Sequence, residues 1–218
     1  YNNGITTHFG PILSERGTPI RQSMITISGS GFDWHDVASY FRPNAIGKYS
    51  FDAQNNVLMN PPRQPLFDAA ILMDCSQCPI HPQFKSVFTE YAKKHSDTVK
   101  RNGSTPVLFM SWAYKDKPEM TAELADAYTK AGNDNGVLVI PVGLAFAKAI
   151  ALKPDLELYA ADKRHPSLAG TYLSAVTTYA TIFNQSPVGL KYNAGLSPET
   201  ALFLQQVAND TVKEYLNR

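Results

Sequence analysis

The sequence predicts an α/β fold built on a mostly parallel sheet with helices on both faces. Two observations predict it. The strand-like runs at 68–73, 106–112 and 136–142 are apolar almost throughout rather than alternating, as strands covered on both faces must be. Each is followed by a segment whose apolar residues recur at helical spacing, so strand and helix alternate along the chain and right-handed crossovers follow.

Taken in order, residues 4–16 place Ile5, Phe9, Ile12 and Leu13 on one helical face, with Pro11 inside. Residues 20–27 read as a strand ending in Ser28-Gly29-Ser30-Gly31, and residues 33–41 as a helix carrying Val37, Tyr40 and Phe41. Residues 42–67 are rich in proline and contain Gln54-Asn55-Asn56, the composition of a long surface excursion with a small hairpin near the Asn pair. After the strand at 68–73 comes the polar loop Asp74-Cys75-Ser76-Gln77-Cys78-Pro79. Phe84, Val87, Phe88, Tyr91 and Val99 then mark a helix closed by Asn102-Gly103. Met120, Leu124, Ala127, Tyr128 and Ala131 mark the next, and residues 144–152 another. The last two helices carry Leu168, Tyr172, Ala175, Tyr179 and Phe183, then Ala201, Leu204, Ala208, Thr211 and Tyr215.

With 218 residues, 44% hydrophobic and 18% charged, the chain suits one sizeable core, and a single domain over 1–218 is expected. Twenty Lys and Arg against 19 Asp and Glu leave a net charge of +1, with no basic run interleaved with aromatics, so nothing points to nucleic acid. Apolar runs fall far short of the about 20 residues that a membrane-spanning helix requires.

In a sheet of this kind ligands bind beyond the carboxyl ends of the strands, where the loops at 28–31, 74–78 and 111–114 are expected to converge. Trp112 and Tyr114 are candidate pocket-lining residues or lids on the core. The most informative stretch is Tyr159-Ala160-Ala161-Asp162-Lys163-Arg164-His165-Pro166. Asp162 and His165, three residues apart in a tight loop, can meet so that the carboxylate orients the imidazole and stabilises its protonated form. Pro166 suits the first position of the helix that follows. Cys75-x-x-Cys78-x-x-His81 offers three borderline metal ligands or a redox pair, but no fourth ligand cluster accompanies it and Pro79 and Pro82 break the helix a thioredoxin-like site would open. Free thiols and a structural disulfide remain open for the pair, and no metal or other cofactor is implied.

Asp162-x-x-His165-Pro166-Ser167-x-x-Gly170, followed by a helix running to Ser186-Pro187, resembles the last block of the SGNH (GDSL-type) hydrolases, in particular a bacterial branch of largely uncharacterised members. The resemblance spans nearly the whole chain. It implies a three-layer α/β/α, flavodoxin-like fold and a serine hydrolase acting on carboxylic esters, with a small-molecule, carbohydrate or lipid ester as substrate. Asp162 and His165 are then the catalytic acid and base. Gly29 matches the family's backbone oxyanion donor, and Ser76 stands where its Gly-x-Asn-Asp motif has the Asn. The match departs there, with Asp74 for Gly and Gln77 for Asp. It departs again at the nucleophile, because no Gly-Asp-Ser or Gly-Asn-Ser occurs in the sequence. Ser30 and Ser167 lack the setting of a nucleophile. The resemblance therefore implies a strand and serine before residue 1. In the flavodoxin-like order 2-1-3-4-5 that strand separates the run at 20–27 from the run at 68–73, which should flank a slot about 9.6 Å wide.

Overall fold

Apolar runs without alternation do form the sheet. In the computed structural model, which describes residues 4–18, 20–42, 49–51, 56–59 and 65–217, β3 (Ala69–Leu72), β4 (Thr105–Phe109) and β5 (Leu138–Ile140) make a parallel three-stranded sheet in the order β3-β4-β5. Ala69 pairs with Thr105 and Leu72 with Leu108. β1 (Tyr49–Phe51) and β2 (Val57–Met59) form the antiparallel hairpin expected near the Asn pair, whose turn lies outside the described residues. Six α-helices accompany them among the described residues: α1 (Ile5–Glu15), α2 (Lys85–Arg101), α3 (Met120–Asn135), α4 (Val142–Leu152), α5 (Leu168–Phe183) and α6 (Pro198–Leu216). None of them is long and apolar enough to cross a membrane.

The expected strand at 20–27 is not there. These residues carry no regular structure, and Ile20, Met24 and Ile27 are exposed. A β-prone run acquires a ladder only beside a partner backbone, and β3, the strand it was expected to flank at one remove, is hydrogen-bonded in the sheet order to β4 alone among the described residues. β3 is accordingly an edge strand, with Ile71 exposed, rather than the buried strand its composition suggests. The expected helix at 33–41 is also corrected, to two short 3₁₀ turns, Phe32–Trp34 and Val37–Phe41. His35 between them is extended, and the Asp36 carboxylate accepts from the Ser39 N–H, restarting the chain instead of continuing one helix.

The described residues divide into two compact units. One comprises residues 1–22, 109–128 and 139–218, the other residues 23–108 and 129–138. In the first, α5 packs against α1, α4 and α6 and is buried from Ala169 to Thr181. Such a helix needs its polar groups satisfied internally. Its hydroxyls do so by bonding back one turn: Thr171, Ser174, Thr177, Thr178 and Thr181 each donate to the carbonyl four residues earlier. The Tyr172 hydroxyl donates to the Tyr192 carbonyl and accepts from the buried Gln205 amide. In the second unit α2 packs on β3 and the 3₁₀ turns. Phe32 stacks on Phe88 with ring centres 5.9 Å apart, and His95 Nε2 donates to the Phe32 carbonyl at 2.9 Å.

Candidate functional site

In the first unit the segment from Glu157 to Ser167 folds back on itself. Tyr159 bridges Pro166, the Ala160 N–H donates to the His165 carbonyl at 2.8 Å, and the Ser167 N–H donates to the Leu158 carbonyl at 2.9 Å. Pro166 thus belongs to the closing bridge and not to the first position of α5, a correction to its expected place. Ser167 caps α5, its Oγ accepting from the Gly170 N–H. The cap and the bridge fix the two ends of the loop, and Lys163 at its tip holds a left-handed φ of 63°, uncommon for a lysine.

That tip brings Asp162 and His165 together. Asp162 Oδ1 accepts from the backbone N–H groups of Arg164 and His165, and Oδ2 lies 2.5 Å from His165 Nδ1. The hydrogen bond from His165, reinforced by the two backbone bonds, holds the Asp162 carboxyl well below the usual carboxylate range. Both side chains are about half exposed, at 47% for Asp162 and 56% for His165, so the ring is reachable from solvent. With Nδ1 taken by the carboxylate, Nε2 is the nitrogen left to exchange a proton with another molecule.

Trp112 and Tyr114 support this loop. The Trp112 indole N–H donates to the Arg164 carbonyl at 2.8 Å while its ring stacks on Phe146, and the Arg164 guanidinium sits 5.0 Å from the Tyr114 ring centre. Three further fastenings were not legible in the sequence. Tyr159 donates its hydroxyl proton to the Ala113 carbonyl, the Lys115 N–H donates to the Lys163 carbonyl, and Lys115 pairs with Glu157. Burial pushes the Tyr159 hydroxyl up to about 12, so it remains a donor across the working pH range.

The other candidates lie in the second unit. Gly29 is the third residue of a turn closed by the Ser30 N–H on the Ile27 carbonyl, and its φ of 73° is one that a glycine adopts without strain. Ser30 donates to the same carbonyl and meets His35 Nε2 at 3.0 Å, while His35 Nδ1 meets the Tyr40 hydroxyl at 3.0 Å. With the Ser30 proton committed to Ile27, the consistent assignment has His35 donating to Ser30 and accepting from Tyr40, an arrangement that closes a turn and activates nothing.

Ser76 is half-buried between Cys75 and Cys78, which form a disulfide. That settles the pair as neither free thiols nor thiolate metal ligands in this state. His81 is occupied locally, Nδ1 accepting from the Gln83 N–H. Asp74 is buried, and its Oδ1 accepts from the N–H groups of Phe32 and Cys75, both at 2.8 Å. Burial nevertheless outweighs those bonds and pushes the carboxyl up to about 6, helped by the nearby negative charge of Asp33. Gly31 joins the turn to this loop, since a Cβ there would meet Asp74 Oδ1 at 3.3 Å and Cys78 Sγ at 3.4 Å.

No family profile and no curated protein matches the chain. Its fold is similar to the crystal structure of a DUF4886 family protein from Bacteroides uniformis, with a TM-score of 0.70 and 16% identity over 100% of this chain and 92% of that one. A chain from Slackia heliotrinireducens, provisionally named an SGNH hydrolase, is similar at a TM-score of 0.47 and 28% identity over 53% of this chain and 65% of that one.

Proposed function

We propose that this chain belongs to a serine hydrolase of the SGNH type that cleaves carboxylic esters, with His165 as general base and then acid and Asp162 as its orienting carboxylate. The observation that carries this reading is the 2.5 Å contact between Asp162 Oδ2 and His165 Nδ1 on an exposed loop, with the opposite ring nitrogen left for chemistry. The ionised carboxylate selects the tautomer that carries its proton on Nδ1 and steadies the imidazolium formed when Nε2 removes a proton from a hydroxyl. That hydroxyl attacks the ester carbonyl, His165 returns the proton to the leaving alcohol, and water then releases the acid by the same relay in reverse.

Among the described residues the hydrogen bonds of His165 run to Asp162 and Ala160. The nucleophile in this reading is a serine on a segment preceding residue 1, as the family pattern implies. The reading takes a small-molecule, carbohydrate or lipid ester as substrate. Turnover of a short-chain nitrophenyl ester by the full-length product, blocked by a serine-directed phosphonate, tests it. His165→Ala should lower kcat by about a thousandfold or more with the fold intact. A full-length product that neither turns over the ester nor takes up the phosphonate would instead be a ligand-binding protein of the same fold.

A further inference from the structure

The loop after β3 carries chemistry that ester hydrolysis does not use. We propose that Cys75 and Cys78 form a thiol–disulfide exchange site, in which the bond seen here is opened by a dithiol and Asp74 supplies the proton. The inference stands independently of the hydrolase reading.

The two cysteines are separated by two residues, so the bond closes a very short loop and restrains the unfolded chain less than a long-range bridge would. Both are partly exposed. The Cys78 N–H points at Cys75 Sγ from 2.9 Å, where it stabilises negative charge on that sulfur. An oxygen of Asp74 and the two sulfurs all lie within 4.8 Å of one another. Both amide bonds to Asp74 fall on Oδ1, which leaves Oδ2 to hold a proton. A carboxyl that titrates near 6 is protonated in part at neutral pH and is a competent acid for a departing thiolate. The charged group that acts on it is Asp33, whose negative charge favours the protonated form.

The step balances as follows. A thiolate of the dithiol attacks Cys78 Sγ, forming a mixed disulfide and breaking the Cys75–Cys78 bond, whose electron pair leaves on Cys75 Sγ beside the Cys78 N–H. Asp74 protonates that thiolate and is reprotonated from solvent. The second thiol of the reagent then attacks its own sulfur in the mixed disulfide, releasing Cys78 as a thiolate that takes up a proton. The dithiol loses two electrons and two protons and closes to a disulfide, while Cys75 and Cys78 gain them as two thiols.

The test is native-state reduction of the full chain by dithiothreitol, quenched with an alkylating reagent and read as added mass on Cys75 and Cys78, with far-UV circular dichroism recorded in parallel. Both cysteines should be alkylated while the chain stays folded, and oxidised dithiothreitol should restore the bond. Asp74→Asn should slow the reduction about tenfold at pH 7. If that variant does not fold, the wild-type pH profile decides: the rate per reagent thiolate should fall as pH rises through about 6. A bond that opens only with unfolding overturns the proposal, and so does a rate per thiolate that neither the substitution nor pH changes.

Discussion

Asp162 and Asp74 show how one residue type is driven in opposite directions by its surroundings. Asp162 sits in solvent, and its ionised form is favoured by the His165 ring and two backbone amides, so its pKa is lowered. A lowered carboxylate contributes stability above its unfolded value that is lost as pH falls through the folded one, so Asp162 favours the folded loop at neutral pH and ceases to do so only in strong acid. Asp74 behaves in reverse. Its folded pKa, about 6 against an ordinary 3.8, means that the folded state holds the proton more tightly. The resulting stabilisation is fully present below 3.8 and is lost as pH rises through about 6, amounting to about 3 kcal/mol between the two limits. Asp74→Asn keeps an acceptor for the Phe32 and Cys75 amides and cannot ionise. The urea midpoint of the wild type should therefore fall between pH 4 and pH 7 relative to that of the variant. Parallel midpoints for the two proteins would show that burial does not govern Asp74.

At the scale of elements, helix ends position the site. A Cβ on Gly170, in the first turn of α5, would lie 2.3 Å from the Leu158 carbonyl oxygen and 2.9 Å from the Phe146 ring, and one on Gly143 in α4 would lie 2.3 Å from the Ser111 carbonyl oxygen. Backbone cannot move aside as a flexible side chain can, so Gly170→Ala should push α5 off the strand-like backbone that precedes the Asp162 loop. A loss of about 1 to 3 kcal/mol is expected, together with lower ester turnover under the proposed hydrolase function, because Ser167 and the bridge at Pro166 move with the helix. Thermal unfolding and kcat measured on the same preparation check both, and an unchanged melting temperature would rule out the close approach.

The same scale explains what was legible in the sequence. The six helices and three sheet strands were readable because their apolar periodicity is a local property, and Asp162 and His165 because three residues of loop suffice to bring them together. Residues 20–27 have the composition of a strand without being one, because strand propensity says nothing about whether a neighbouring backbone is there to pair with. Residues 33–41 share one helical pattern yet form two turns, because Asp36 caps a new turn inside it. Trp112 with Arg164, and Tyr159 with Ala113, join positions roughly fifty residues apart, a relation with no signature in local spacing. Spacing alone does not separate thiols from a disulfide at Cys75 and Cys78.

For the whole molecule, connectivity predicts how the two compact units unfold. The chain passes from one to the other after Gln22, Leu108, Tyr128 and Leu138. Three of these crossings fall inside regular elements. α3 has Met120 to Tyr128 in the first unit and Thr129 to Asn135 in the second, β4 contributes Thr105 to Leu108 to the second and Phe109 to the first, and β5 contributes Leu138 to the second and Val139 and Ile140 to the first. Each helical amide bonds four residues back, so melting either half of α3 removes partners from the other half across its middle turn. A break in mid-helix also leaves both new ends uncapped. Opening one unit alone would therefore strip bonds from the other, and a single cooperative transition is expected, the behaviour of one domain. Native-state hydrogen exchange in increasing urea tests this. The slowest amides of α2, in the second unit, and of α5, in the first, should converge on the same opening free energy and the same urea dependence. If the α2 amides reach a lower plateau with a smaller urea dependence while α5 stays protected, the units open separately and α3 frays at Tyr128, which would make the single-domain reading wrong.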